Sequence, residues 1–263
     1  MRSNASSPLV MALVVLCSLA GCGDPKGRED VHPVTSTNLP GMPTPLRGEA
    51  TLSGKVSDAA GNPVEGATVK IAETDGKATT AADGTYQMTV PSDSTLTLVT
   101  TATGFASSAR ESIVVADQAT VTGFDVFIVA PAEVTRMIAL GGGSATVPSG
   151  LMAVRLHSLS ATCQLTGAKV SVWPPKAATV MYSRPSANGG MDEPDAAMTS
   201  VQAGVDVDAW LTSALPPGNM LQLTVEQTGC TLLSPSPSMA GVQYPGLRRI
   251  DASALSVADL FLN

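Results

Sequence analysis

The chain has 263 residues, 15 basic and 22 acidic side chains, a formal net charge of −7 and a 44% hydrophobic content. That balance supplies enough apolar material for a sizeable core and argues against a nucleic-acid partner, which needs a basic face. Aromatic residues make up only 3%, too few for a broad aromatic platform.

Arg2 stands ahead of an uncharged apolar run, Leu9 to Leu19, that closes in Leu19-Ala20-Gly21-Cys22. This is the order of a secretory signal, and the run is too short to cross a bilayer as a permanent helix. The closing residues resemble the lipobox of bacterial lipoproteins. The resemblance implies that a signal peptide, residues 1–21, is removed and that Cys22 carries a thioether-linked diacylglycerol and an acylated amino terminus. At about 0.8 kcal/mol per buried methylene, several chains on one residue anchor stably. The alternative is an ordinary secretory signal with an incidental Cys22. Removal of Arg2 with the signal makes the exported chain one charge more negative. Gly23 stands where an aspartate would resemble an inner-membrane retention signal of enteric bacteria. The expected location is therefore the cell envelope, preferably the outer membrane, on its periplasmic or surface face.

Residues 22–48 read as a flexible tether. Gly23 to Asp30 is polar and charged, and Pro33, Pro40, Pro43 and Pro45 punctuate the rest without apolar periodicity, so the segment buries too little surface to offset its ordering entropy. As a coil it reaches roughly 25–30 Å.

From Glu49 the pattern is that of strands. Leu52, Gly54 and Val56 alternate with polar residues, Gly61-Asn62-Pro63 marks a turn, and Ala67, Val69 and Ile71 alternate again. Asp75-Gly76 and Asp83-Gly84 are turn dipeptides, the second expected to close a hairpin. Tyr86, Met88 and Val90 share a face, Leu96 and Leu98 open the next strand, and Phe124, Val126 and Ile128 end the series. Short strands at regular spacing without a helical period predict an all-β sandwich.

The runs Gly54-Lys55-Val56-Ser57-Asp58, Gly61 through Val69, Asp83-Gly84-Thr85-Tyr86 and Thr103-Gly104-Phe105 occur in the order that resembles the carboxypeptidase regulatory-like domain, a transthyretin-like β-sandwich. Pro63 presets φ in its turn and Gly66 is expected to relieve crowding at the start of a strand. The resemblance covers residues 49–130 and implies a non-catalytic accessory or interaction module. The zinc peptidase beside which the family's namesake sits has no counterpart here.

Residues 131–263 read as a second, divergent transthyretin-like sandwich, in tandem with the first. Gly167-Ala168-Lys169-Val170-Ser171-Val172 matches Gly66 through Ile71 in apolar phase, Leu221 through Gly229 matches Leu96 through Gly104 without a gap, and Asp259-Leu260-Phe261-Leu262 matches Asp125 through Ile128. Trp210 falls where the first copy has Tyr86 and is assigned to the core. The second copy carries about twenty extra residues before Trp210, within the range of long loops. They include the polar stretch Ser183 to Asp195, read as a solvated loop, with Asp192, Glu193 and Asp195 as weaker calcium candidates. Whether the loop 184–206 orders on binding stays open.

With Cys17 in the signal and Cys22 acylated, Cys163 and Cys230 remain, an even pair in an exported chain that is read first as a disulfide. Closing that loop contributes on the order of 4 kcal/mol by chain entropy. Catalytic patterns point nowhere. His32 and His157 lack the acidic neighbour of a zinc ligand pair, G-x-S-x-G does not occur, and Asp206 with Asp208 reads as a solvated face. No cofactor and no metal is expected, and His157 reads as a strand-end histidine. The expected function is a non-enzymatic envelope module for binding or structure, anchored to the membrane through Cys22. Two other functions stay open: a carbohydrate-binding lipoprotein using Trp173, Tyr182 and Tyr244 as a small aromatic site, with an envelope protein or a glycan as partner, and a hydrolase with an unrecognised site.

Overall fold

The computed structural model describes residues 48–142, 150–186, 191–213, 220–233, 242–243, 247–249 and 254–263. In the first half the strands are β1 (Glu49–Ser57), β2 (Thr68–Ile71), β3 (Lys77–Thr79), β4 (Thr85–Pro91), β5 (Thr95–Thr101), β6 (Ser107–Val115), β7 (Thr120–Val121) and β8 (Val126–Phe127). A helix, α1 (Pro131–Leu140), follows. The second half contributes β9 (Leu151–Ser158), β10 (Lys169–Trp173), β11 (Ala178–Arg184), β12 (Glu193–Asp195), β13 (Ala209–Ser213), β14 (Met220–Glu226), β15 (Leu232–Leu233), β16 (Val242–Gln243), β17 (Leu247–Arg249) and β18 (Ala254–Leu262). Among the described residues the protein is all-β apart from that helix.

Strands β4, β1 and β7 form a small sheet, with β8 on β1. Strands β10, β14 and β17 form another. A long sheet, in the order β12-β11-β13-β9-β18-β6-β5-β2-β3, lies across both halves. The alternation foreseen in β1, β2, β4 and β5 follows the pleat: Leu52, Val56, Val69, Ile71, Tyr86, Met88, Val90, Leu96 and Leu98 are buried in one core that also takes Phe124, Val126 and Ile128. A second core gathers Val154, Leu156, Ala168, Val170, Leu211, Leu221, Leu223 and Leu260. Two sandwiches therefore each give one of their sheets to a common one.

The seam between them is β18. It runs parallel to β6 over Ala254–Ser256 and parallel to β9 over Leu255–Leu262. Strands flanked in this way are buried on both faces and read as continuous apolar runs. On β9, Met152, Val154 and Leu156 enter the second core while Leu151 and Ala153 enter a third, on the reverse face.

That third core lies under α1, a helix in a chain whose strand alternation predicts none. Pro131 sits in the first turn, where its missing N–H costs nothing, and Glu133 complements the helix dipole. Val134, Met137 and Ile138, at the spacing that makes one helical face, pack against Trp210, Leu255 and Val257. Trp210 is fully buried, as expected, but on the face opposite to Tyr86. Its neighbours Ala209 and Leu211 take the inner face of β13, so the indole points out of the sandwich and under the helix, edge-on to Phe127 at 6.2 Å.

The matched segments pair in one register. Thr68–Ile71 face Thr101–Leu98, and Lys169–Val172 face Glu226–Leu223, residue for equivalent residue. Gly66 and Gly167 both adopt positive φ at the entry to their strand. A Cβ on Gly66 would meet nothing within 4 Å, so the requirement there is the left-handed backbone and not crowding. Asp83-Gly84 also differs from expectation. Its turn carries the chain from β3, in the long sheet, to β4, in the small one, and closes no hairpin.

Part of the extra chain of the second copy is strand. Tyr182, Ser183 and Arg184 of β11 pair with Asp195, Pro194 and Glu193 of β12, extending the long sheet at its edge. Backbone pairing thus takes up the two ends of the stretch read as a solvated loop, and Arg184, Pro185 and Glu193 remain exposed. Cys163 and Cys230 are joined, with Cα atoms 5.0 Å apart.

Candidate functional site

The outer face of the β10-β14-β17 sheet is set by the strand period. Along β10, Lys169, Ser171 and Trp173 are exposed, while Val170 is buried. Along β14, Met220, Gln222, Thr224 and Glu226 are exposed, while Leu221 and Leu223 are buried. Cross-strand pairing puts Trp173 opposite Gln222, Ser171 opposite Thr224 and Lys169 opposite Glu226. Opposed side chains on such a face lie about 5 Å apart and successive ones on a strand about 7 Å apart. Along β10 and β14 the face thus carries an indole at one end, amide and hydroxyl groups around it, and an opposite-charge pair at the far end, while on β17 Leu247 pairs with Gln222 and Arg249 with Met220. Trp173 is 63% exposed, against 0% for Trp210.

The other aromatic candidates do not join it. Tyr182 is buried in the second core, where its Oη accepts the Val170 N–H at 2.9 Å, and burial raises its phenol above the usual range. A residue that caps a β10 backbone group from inside the sandwich presents nothing to a ligand. Tyr244 and Cys22 lie outside the described residues.

Charged groups gather at the seam. Asp259 of β18 is buried and receives Arg155 at 3.1 Å and His157 at 2.9 Å on one carboxylate oxygen, with Arg110 of β6 at 3.6 Å from the other. Arg110 also donates to the Asp125 carbonyl at 3.1 Å and lies over the Phe124 ring at 4.3 Å. His157 stacks on Phe261 with ring centres 4.7 Å apart, so its place near the end of β9 is fixed by β18. Ser158, its neighbour, is committed to the carbonyls of Ser160 and Cys163 at 2.7 and 2.8 Å. These contacts join strands, and they align no hydroxyl with the imidazole.

A cleft of about 340 Å³ opens beside this cluster, lined by Asp58, Asp125, Phe127, Arg155, His157 and Asp206 among others. Asp58 there caps its own turn through the Ala60 and Asn62 N–H groups. The reading of Asp206 and Asp208 as a solvated face needs correction, because Asp208 is buried and accepts the Leu156 N–H at 2.6 Å. Burial pushes its carboxyl up to about 6, against the opposing effects of that N–H and of His157. Asp192 is likewise buried, accepting the N–H groups of Ser186, Asp206 and Val207, while Glu193 faces Arg184 at 3.5 Å. Among the described residues no three His, Cys, Asp or Glu side chains are grouped to hold a metal ion, and no helix is long and apolar enough to cross a membrane.

Residues 51–127 match the family model of the carboxypeptidase regulatory-like domain. The first sandwich is a carboxypeptidase regulatory-like domain. Its boundaries fall on β1 and β8, and the Trp173 face lies outside it, in the second sandwich. No curated protein matches the chain. Among solved structures, a type II cohesin–X-dockerin complex of Acetivibrio cellulolyticus is similar at 17% identity over 44% of this chain and 81% of that one, with a TM-score of 0.28. The Bacillus anthracis TIE protein is similar at 10% identity over 81% of this chain, which spans 34% of that protein, with a TM-score of 0.25. The minor pilin of Streptococcus agalactiae is similar at 10% identity over 82% of this chain and 95% of that one, with a TM-score of 0.23. Likeness at this level fixes neither topology nor function.

Proposed function

We propose that this protein is a non-catalytic binding module, held at the outer membrane by lipid on Cys22 and acting by contact through the outward face that carries Trp173. One observation carries the reading: the protein's two tryptophans are placed oppositely, Trp210 sealed under α1 and Trp173 63% exposed on a flat sheet face. A large amphipathic ring held in water by a rigid strand is the side chain most often found at the centre of binding hot spots. The regulatory-like character of residues 51–127 supports an accessory role. The seam is consistent with this, since its charged groups are engaged in joining β6, β9 and β18.

Two experiments test it. A photo-crosslinking residue at position 173 should capture an envelope component in intact cells, whereas the same residue at Lys70, on an exposed position of β2, should not. Equal or absent capture at both sites overturns the assignment of the face. Metabolic labelling with a fatty-acid analogue should mark the protein and fail on Cys22→Ser; an unmarked wild-type product overturns the anchor.

A further inference from the structure

Beyond the Trp173 face, we infer that a cleft beside the Cys163–Cys230 disulfide binds an alkylammonium group, with the Asp208 carboxylate as its counter-ion. The cleft, of about 560 Å³, lies between the chain 158–166 that follows β9 and the chain 202–205 that leads towards β13, and Leu156 and Asp208 also line it. That volume is ordinary for a small-ligand site. Both walls are tied down before any ligand arrives. Cys163 is bonded to Cys230, the Ser158 hydroxyl is committed to the Ser160 and Cys163 carbonyls, and the Gln227 amide donates to the carbonyls of Gln164 and Thr166. On the other side, Val201 bonds through its backbone to Gly167 and Ala168. A preformed site loses little free energy to ordering.

The lining fixes the chemistry of the ligand. Asp208 is 5% exposed. Its Oδ2 accepts the Leu156 N–H at 2.6 Å, while its Oδ1 has no hydrogen-bond partner among the described residues and opens on the cleft. A buried carboxylate with one unused oxygen calls for a cation, and no Lys, Arg or His lines the cleft to supply it. A divalent metal needs several oxygen ligands, carboxylates foremost, whereas Asp208 is the one acidic residue of the lining. A guanidinium is best met by both oxygens of a carboxylate, and Oδ2 is taken; an ammonium, a point charge with three donors, is served by one. The Gln164 and Gln202 amides, also in the lining, each give an N–H to a backbone carbonyl, of Ala161 and Ser200, and keep their oxygens as further acceptors. Half-buried Leu159, Leu165 and Val205 complete the walls, apolar surface for a methylene stem. A lysine side chain and an aliphatic diamine share that build.

Calorimetry of the full chain in detergent, at neutral pH and low salt, tests the site with cadaverine and an N-acetyl-lysine amide as probes and pentanediol and glutarate as neutral and anionic controls. Both amines should bind saturably and neither control should. Tighter binding of cadaverine marks a free amine as the natural ligand, and tighter binding of the lysine derivative marks the side chain of a protein; either supports the site. Asp208→Asn keeps an acceptor for the Leu156 N–H and removes the charge, and it should weaken both amines by about tenfold or more. Val205→Trp fills the cleft with Asp208 intact and should weaken them likewise. A cooperative melting transition confirms that each variant is folded. Proton competition gives a further readout. Around Asp208, His157 of β9 favours the ionised form, while Asp192 and Asp206 oppose it. With the carboxyl pushed up to about 6, wild-type affinity for either amine should fall about tenfold from pH 7 to pH 5 as the ionised fraction falls, and much less in Asp208→Asn. Amine binding undiminished by Asp208→Asn, saturable binding of the diol or of glutarate, or no binding of either amine overturns the inference.

Discussion

At the residue scale, single positions in the first sandwich hold more than their own conformation. Gly54 lies against the Phe124 carbonyl, too close for any side chain, and that carbonyl accepts the Tyr86 hydroxyl at 2.7 Å. Gly54→Ala should therefore push β1 from the 124–126 segment and break the tyrosine contact, costing about 2–3 kcal/mol in denaturant unfolding. Asp208 gives the opposite sign. Its folded carboxyl titrates near 6 and its unfolded one near 3.8, so the native state binds the proton more tightly. Stability from this group is greatest below the unfolded value, is lost as pH rises between the two, and stays lost above the folded value. Asp208→Asn keeps an acceptor for the Leu156 N–H and removes the charge. It should leave the melting temperature little changed near pH 4 and raise it above pH 6, the gain reaching on the order of 2 kcal/mol. A gain already complete at pH 4 would contradict that account.

At the element scale, β18 is the strand on which both sandwiches depend, and Asp259 is its fixed point. Removing the carboxylate leaves Arg110, whose side chain is 7% exposed, and Arg155, 21% exposed, without their shared anion. Uncompensated buried charge is costly, about 3–5 kcal/mol for a broken buried pair. Asp259→Ala should lose stability in that range by chemical denaturation, and more than Glu193→Ala, whose ion pairs with Arg184 and Arg136 are exposed. The helix shows a different dependence. Its apolar positions Val134, Met137 and Ile138 can be read from Pro131 to Gly141, yet ten residues make a marginal helix alone, and what holds it is the reverse face of β9, β13 and β18.

For the whole molecule, one sheet running through both sandwiches has a thermodynamic consequence. A strand paired with β6 on one side and β9 on the other couples the two cores, so the lipid-free chain should unfold in a single calorimetric transition. Weakening the seam with Asp259→Ala should broaden or split it, one component keeping the wild-type midpoint. Two transitions already in wild type would mean that the cores fold independently.

How much of this was legible in the residues depends on distance along the chain. Alternation in β1, β4 and β5, the Gly66 and Gly167 entries, the even cysteine pair and the matching phase of the two copies are local or counting signals, and each found its place in the fold. The sandwich class and the exposed place of Trp173 before Pro174-Pro175 were open to the same reasoning. The sites were less so. Tyr182 and Trp173 look alike as aromatic residues near strand ends, and only the pairing of β11 with β13 turns one ring inward and leaves the other out. Ser183 to Asp195 looks like a loop because edge pairing satisfies backbone groups whatever the side chains are. The alternation of the main strands and the matching phase of the two halves are written in the residues, because they follow from neighbours a few positions apart. Tertiary structure alone decided that the bodies share a sheet, that β18 closes it and that Asp259 meets Arg110 across about 150 positions, because parallel pairing and charge burial join residues whose separation along the chain carries no pattern.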